Sequence, residues 1–507
     1  MFTKVYAILV VLFFLLLRFV FSEYSKIKGG AFMDSNNEKG QLQRSMKSRH
    51  LFMISLGGVI GTGLFLGSGL TINQAGPGGA VVAYLFGGLV MYLVMVCLGE
   101  LSITMPVTGS FKTYATKYIG PGTGFTIGWM YWLSWATTVG LEFTAAGILM
   151  QRWFPHVPVW IWCLVFIVLL LGLNILSVKG YAEAEFWFAG IKVFAVIAFI
   201  LIGAATIFGF GHKGSSAPLF TNFTKDGGLF PHGFSAIFST MMGVVFAFQG
   251  AEVVGIAAGE SEEPEKTLPK AIRSIIFRVL IFYVLAILVL AALIPWRHAG
   301  VVESPFVAVF DSVGIPYAAD IMNLVILTAL LSVGNSGLYV CSRMLWSLSK
   351  SGMAPKVLGK VNSRGVPFNA VLFSLLFALV SLLTSVVSAE TVFVVLLSVT
   401  GLAGTFSWMA IALSQYNFRR QFIKNGGNVK ELKYKVPLFP LIPILCLVLC
   451  GISIVFMAFD PTQRSSLIGG LGFMGVSYLY YFLRHGKNKG KLGIKKEHGE
   501  VPTQQSI

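Results

Sequence analysis

Apolar stretches long enough to cross a lipid bilayer recur along most of this chain, and that repetition leaves few folds open. A helix needs about 20 consecutive apolar residues to span the hydrocarbon core. Twelve stretches of this kind fall near 51–71, 79–104, 124–150, 158–178, 186–209, 233–257, 274–295, 317–347, 368–388, 391–415, 437–458 and 465–484. The overall balance agrees, because 55% of the 507 residues are hydrophobic, 12% are charged and mean hydropathy is +0.78. No soluble globular domain is expected to reach such values. Lipid offers no partner for backbone amides, so the expected class is an all-α polytopic membrane protein.

A formal net charge of +17 would suggest nucleic acid in a soluble protein. Here it follows the loops. The segments 33–50, 105–123, 179–185, 259–273, 348–367, 416–436 and the tail from Arg484 hold about 26 Lys and Arg, whereas the alternate loops hold about 5. The positive-inside rule puts the first set in the cytoplasm, and an even number of spans puts both chain ends there. The basic tail 486–507 then needs only orientation to explain it, and no nucleic-acid partner is expected. Nor is an obligate protein partner evident. Cys97, Cys163, Cys341, Cys446 and Cys450 all fall inside spans without CxxC spacing. They are expected to fill space, with no metal site and no cofactor.

Residues 1–32 fit poorly. Lys4 precedes thirteen apolar residues, Val5 to Leu17, and no small-residue cleavage site follows. Met33 opens a polar run suited to the cytoplasmic start of a transporter. The expectation is that 33–50 is the native cytoplasmic N-terminus, 51–485 the permeating domain, and 1–32 a hydrophobic addition.

The first span contains Gly57-Gly58-Val59-Ile60-Gly61-Thr62-Gly63. Glycine costs roughly 1 kcal/mol against alanine in a helix interior, so this cluster predicts non-helical backbone. Such backbone is tolerated at membrane depth only where protein or a polar cavity covers it. Span 6 carries a second candidate break at Phe246-Ala247-Phe248-Gln249-Gly250-Ala251-Glu252. Two breaks, each in the first span of a group of five, point to inverted repeats with a site at the midplane. Repeat one would cover about 51–209, repeat two about 233–415, and 437–484 would be appended helices.

Charges inside spans mark the candidates for chemistry. Glu142, well inside span 3, carries an insertion cost of roughly 2.5–3.5 kcal/mol and should face the bundle interior or a wet cavity. Lys192, about two turns into span 5, either snorkels to the cytoplasm or sits in the core, where it could carry a proton. Glu100, at the end of span 2, is expected to hold the cytoplasmic half together, with a gate or substrate contact as the alternative. Glu260 lies just past span 6, in a charged connection. Ser332 and Asn335 belong to a small, polar patch in span 8 suited to close helix approach or ion contact. Trp129, Trp132 and Trp135 are expected to pack, and the later spans to act as scaffold.

The motifs GGVIGTG, PVTGSF, FQGAE, AGESEEPEKTLPKAIR and LSVGNSGLY, together with the continuous stretch 75–106, resemble bacterial amino acid permeases of the amino acid-polyamine-organocation superfamily. The resemblance covers about residues 41–485 and is strongest to arginine/ornithine permeases, next to lysine-specific and S-methylmethionine permeases. It implies a five-plus-five inverted-repeat transporter fold with discontinuous helices 1 and 6 and two additional C-terminal helices. Spans 1, 2, 6 and 7 would rock against spans 3, 4, 8 and 9. The amino acid would lie between the breaks, its carboxylate on amides around Ile60, Gly61, Thr62 and Gly63. Its ammonium would meet carbonyls near Phe246, Ala247 and Phe248, with the Phe248 ring closing over it.

On the same resemblance, Glu142 and Glu252 are counter-charges for a cationic side chain and Glu260 serves the exit path. Ala251 stands where related sequences often have Thr. Lys192 matches a fifth-span lysine that occupies, in proton-coupled relatives, a sodium position between spans 1, 5 and 8, so H⁺ is the expected coupling ion. The implied function is import of a basic amino acid (arginine, ornithine or lysine) through the cell membrane by proton symport. A permease for S-methylmethionine or a neutral amino acid, or an exchanger, are the alternatives. A receptor-like sensor would need a soluble signalling domain that the short loops do not supply. An intramembrane enzyme would need a motif such as HExxH, GxSxG or a paired-aspartate span, and none is evident.

Overall fold

The computed structural model describes residues 58–174, 178–210, 217–258, 264–300, 303–313, 315–362 and 365–486. Among them every regular element is helical. Spans 1 and 2 are carried by α1 (Thr62–Phe65) and α2 (Gly67–Thr104). Gly76, with φ +77°, and Pro77 break the helical path inside α2. A side chain at Gly76 would meet Pro231 Cδ at 2.3 Å, so glycine is required there on two counts.

A short helix, α3 (Ser110–Tyr118), joins spans 2 and 3. Spans 3 to 5 are α4 (Pro121–Met150), α5 (Val159–Leu173) and α6 (Val178–Ile207). Span 6 arrives in three pieces, α7 (Ser235–Ser239), α8 (Met241–Phe248) and α9 (Val253–Ala257). Then come α10 (Pro264–Leu293), a short helix α11 (Pro305–Val313) that the apolar pattern does not announce, and α12 (Ala318–Lys350). Span 9 is α13 (Phe368–Ala378), tightening to a 3₁₀ turn over Leu379–Ser385. The chain closes with α14 (Ala389–Lys424), α15 (Leu441–Met457) and α16 (Pro461–Gly486).

Seven of these helices have at least 18 residues and are apolar enough to cross a membrane. Four shorter apolar runs, Val159–Leu173, Met241–Ala257, Leu280–Leu293 and Leu441–Met457, account for spans 4, 6, 7 and 11, and span 1 is described only from residue 58. Span 6 is short because it is broken, whereas span 7 lies on α10, which as a whole runs 30 residues. Leu164, Val168, Phe194 and Leu201 on α5 and α6 point outward, as side chains that meet lipid do.

The centre of the bundle is α4, buried along nearly its whole length and packed against α12 and α14. Trp132 is enclosed there, stacking on Phe373 at 5.3 Å and donating to Ser374 Oγ at 2.9 Å, so it packs as expected. The five cysteines are free and buried. A second group forms where α2 meets α8 and α10.

Charge fastens one end of the bundle. Arg152, just past α4, reaches Glu303 at 3.1 Å, Asp311 at 2.8 Å and Asp320 at 2.8 Å, tying down α11 and the start of α12. Hydrogen bonds to the aspartates push the guanidinium above its ordinary range, while burial, and then the neighbouring Asp311, raise the Glu303 carboxyl.

Candidate functional site

The two interrupted segments meet backbone to backbone. Residues 58–61 are not helical, and Gly61 enters α1 in extended geometry with φ −151° and ψ −150°. On the other side α8 stops at Phe248, Gln249 turns to ψ 147° and Gly250 adopts φ +109°. A Cβ at Gly250 would lie 2.4 Å from the Gly58 carbonyl oxygen, and one at Gly63 would lie 2.4 Å from Ala247 Cα. These glycines therefore set both the break and the closeness of the two chains.

Backbone groups released by the break find partners. Tyr283 donates to Val59 O at 2.6 Å, Tyr84 to Gly63 O at 3.2 Å, and Ser304 to Phe65 O at 2.8 Å. Covered carbonyls are what irregular backbone at membrane depth requires.

A cavity of about 10 Å³ opens between the breaks. Gly58, Val59, Gly61, Thr62 and Gly63 form one wall, and Trp135, Thr138, Glu142, Phe246, Gln249 and Val333 complete it. In this state it has room for about one water, so an amino acid needs the walls to part. Glu142 is its charged group. The Thr62 hydroxyl donates to Glu142 Oε2 at 2.5 Å, while Oε1 is buried and has no hydrogen-bond partner among the described residues. That oxygen lies 3.4 Å from where a Gly61 Cβ would stand. The Leu64 and Phe65 amides of α1 donate to Gly61 O, which leaves the amides of Thr62 and Gly63 without an intrahelical acceptor. Carboxylate, free amides and apolar walls together suit a small zwitterion.

The remaining candidates divide. Phe246 lines the cavity, whereas Phe248 turns away and packs on Tyr283 at 4.7 Å and Tyr84 at 5.9 Å between ring centroids. Ala247 faces Gly63, and Ile60 is fully buried outside the lining. Glu252 is off the wall as well. It accepts from Tyr131 Oη at 2.9 Å, from Trp408 Nε1 at 3.3 Å and from its own Gly250 amide at 3.1 Å, and so holds the turn of the span 6 break.

Glu100 is enclosed and ion-paired. Arg419 on α14 grips both its oxygens, Gln415 donates at 3.2 Å and the Val436 amide at 2.7 Å. Lys192 does not snorkel. It is fully enclosed, with Nζ 3.6 Å from Glu185 Oε1. The Ser332 hydroxyl donates to the other Glu185 oxygen at 2.6 Å, and Asn335 accepts from Asn174 at 2.8 Å. Glu260, the extension 1–32 and the tail beyond residue 486 lie outside the described residues.

Several site residues carried no sequence signal that separated them from packing. Trp135 belongs to the tryptophan series expected to pack, yet it lines the cavity beside Gln249 of the span 6 break, whose amide donates to Thr400 O at 3.2 Å. Arg419 sits in a basic loop where orientation alone accounted for its charge. Glu185 stands at the mouth of span 5, where an acid costs little in water.

Comparison with known proteins completes the picture. The family described as "Amino acid permease" matches residues 50–482. The amino-acid permease RocC of Bacillus subtilis (strain 168) is 57% identical over 467 residues, 92% of this chain and 99% of RocC. A putative histidine permease of the same organism is 54% identical over 464 residues, 91% of this chain and 98% of the relative. The lysine-specific permease LysP of Escherichia coli (strain K12) is 45% identical over 437 residues, 85% of this chain and 89% of LysP. With a broken pair of helices around a small charged cavity and this extent of similarity, the chain belongs to the amino acid permease family, whose members are membrane transporters and not enzymes.

Proposed function

We propose that this protein imports a basic amino acid, arginine, ornithine or lysine, by proton symport across the cell membrane. The observation that carries the reading is Glu142, whose Oε1 is buried at the cavity wall without a hydrogen-bond donor among the described residues. A carboxylate at that depth is costly unless something positive meets it. Lys192 supplies one positive neighbour from within the protein, and the cationic side chain of the cargo is the partner that reaches Oε1 from the cavity. A relative named for lysine supports a cationic cargo.

The cargo carboxylate meets the amides at the start of α1, and its ammonium meets the carbonyls freed where α8 ends. Phe246 covers the ligand. Lys192 is the proton carrier, because an enclosed lysine can load and lose its proton within a cycle and α6 presents it toward Glu142. The repeats at about 51–209 and 233–415 rock about the two breaks, with both chain ends in the cytoplasm as the loop charges require.

Uptake of labelled arginine into proteoliposomes under an imposed pH gradient tests the reading, with ornithine, lysine, S-methylmethionine and neutral amino acids as competitors. Gradient-driven uptake displaced by ornithine and lysine is the expected result. Displacement by neutral amino acids alone discards the cationic cargo, and uptake driven by sodium and indifferent to pH discards the proton.

A further inference from the structure

Lys192 has a second acid for company besides Glu142. Glu185 precedes it by seven residues on α6, two turns away on the same face, and both side chains are enclosed. Nζ of Lys192 stands 3.6 Å from Glu185 Oε1. Ser332 on α12 fixes the other oxygen, Oε2, at 2.6 Å and so leaves Oε1 turned to the amine. A buried ion pair is often no more stabilising than an apolar pair of the same size. Two ionisable groups held at this depth therefore point to a use beyond packing.

We propose that Glu185, which is not among the residues lining the cargo cavity, is the proton station that follows Lys192. In the step, one Nζ–H bond of the ammonium breaks and an Oε1–H bond forms. The lysine becomes a neutral amine and the glutamate a neutral acid, so this transfer leaves the net charge of the pair at zero, and the pair is negative only between proton release and reloading. Proton loss from Glu185 to water at the start of α6 then restores the carboxylate, and the amine reloads from the cavity side. Ser332 is a positioning residue, because its hydroxyl keeps Oε1 aimed at the nitrogen. The proposal rests on the proton-symport reading and adds a residue to it.

The titratable groups acting on this pair are Lys192 and Glu185 themselves and Glu142 from α4. From α12 come the hydroxyls of Ser332 and Ser336, and from α10 Tyr283 acts on Glu142. Where α11 meets α6 the contact is aromatic, Phe306 and Phe310 against Phe199.

The test compares wild type, Glu185→Gln, Glu185→Asp and Ser332→Ala in proteoliposomes, with labelled arginine as probe. Two readouts are taken, accumulation under an inward proton gradient and arginine-for-arginine counterflow, which needs no net proton movement. Glu185→Gln is expected to lose about tenfold or more of gradient-driven accumulation and about threefold or less of counterflow. Glu185→Asp should recover part of the accumulation, and Ser332→Ala should shift the pH of half-maximal accumulation. Accumulation at the wild-type level in Glu185→Gln overturns the proposal. Equal loss of both readouts with an unmoved pH profile in Ser332→Ala also overturns it, because that is how a merely structural pair behaves. If Glu185→Gln fails to reach the membrane, the Ser332→Ala profile decides alone, a shift supporting the station and no shift rejecting it. Wild type that ignores the proton gradient removes the symport reading and this station together. Wild type that responds while Glu185→Gln responds equally removes the station only.

Discussion

Two buried acids, Glu100 and Glu142, show what separates a brace from a binding group. Both are enclosed, and both lie on long helices of the first half of the chain. Glu100 is saturated, since Arg419, Gln415 and the Val436 amide take up its two oxygens and join α2 to α14 and to the segment before α15. Glu142 is half satisfied. Thr62 holds one oxygen, and the other faces a cavity where two broken helices meet. Burial is the same in the two cases, so burial does not reveal function. What differs is the place of the unsatisfied oxygen, at the wall of the cavity between the breaks, and the proposed function assigns it to the cargo.

The contrast can be broken at several points. Arg419→Ala should do the most damage, because it strands a fully buried carboxylate at a cost of about 3–5 kcal/mol. Thermal unfolding of the purified protein reads this directly, and an unchanged melting curve would mean that Glu100 is no brace. Glu142→Gln should leave the melting temperature within a few degrees and cut arginine uptake on the order of 100-fold, as the removal of one partner from a buried charge pair does. Thr62→Ala releases the anchored oxygen of Glu142, and a loss of about tenfold in arginine uptake is expected from one charge-assisted hydrogen bond. The smallest change sharpens the boundary of the site. Glu252→Gln keeps one oxygen to accept from Trp408 and the Gly250 amide and turns its NH2 toward the Tyr131 hydroxyl, which can accept, and the arginine-to-neutral preference measured by competition should stay within about threefold of wild type.

The spans were legible because length and apolarity are read residue by residue. The breaks were legible because glycine at 58, 61, 63 and 250 has few other uses inside a membrane helix. What stayed hidden was direction. Phe246 and Phe248 are two residues apart, roughly 200° around a helix, so only one of the rings can face the cavity, and sequence does not say which. The same holds for Glu252, whose depth in span 6 suggested the site although its helix turns it to Tyr131 and Trp408. Helix α11 was missed because nine residues are too few to register as a span. Arg419 and Glu185 were missed for a shared reason. Each sits at a span end where a charge is ordinary, and only folding encloses it against a distant partner.

The most direct measurement compares wild type and Glu142→Gln for arginine uptake into proteoliposomes, competed by lysine and by a neutral amino acid. The account predicts that wild type prefers the cationic competitor and that the variant, still folded, loses that preference. A folded variant that keeps the full preference for lysine would contradict the claim that Glu142 reads the charge of the cargo.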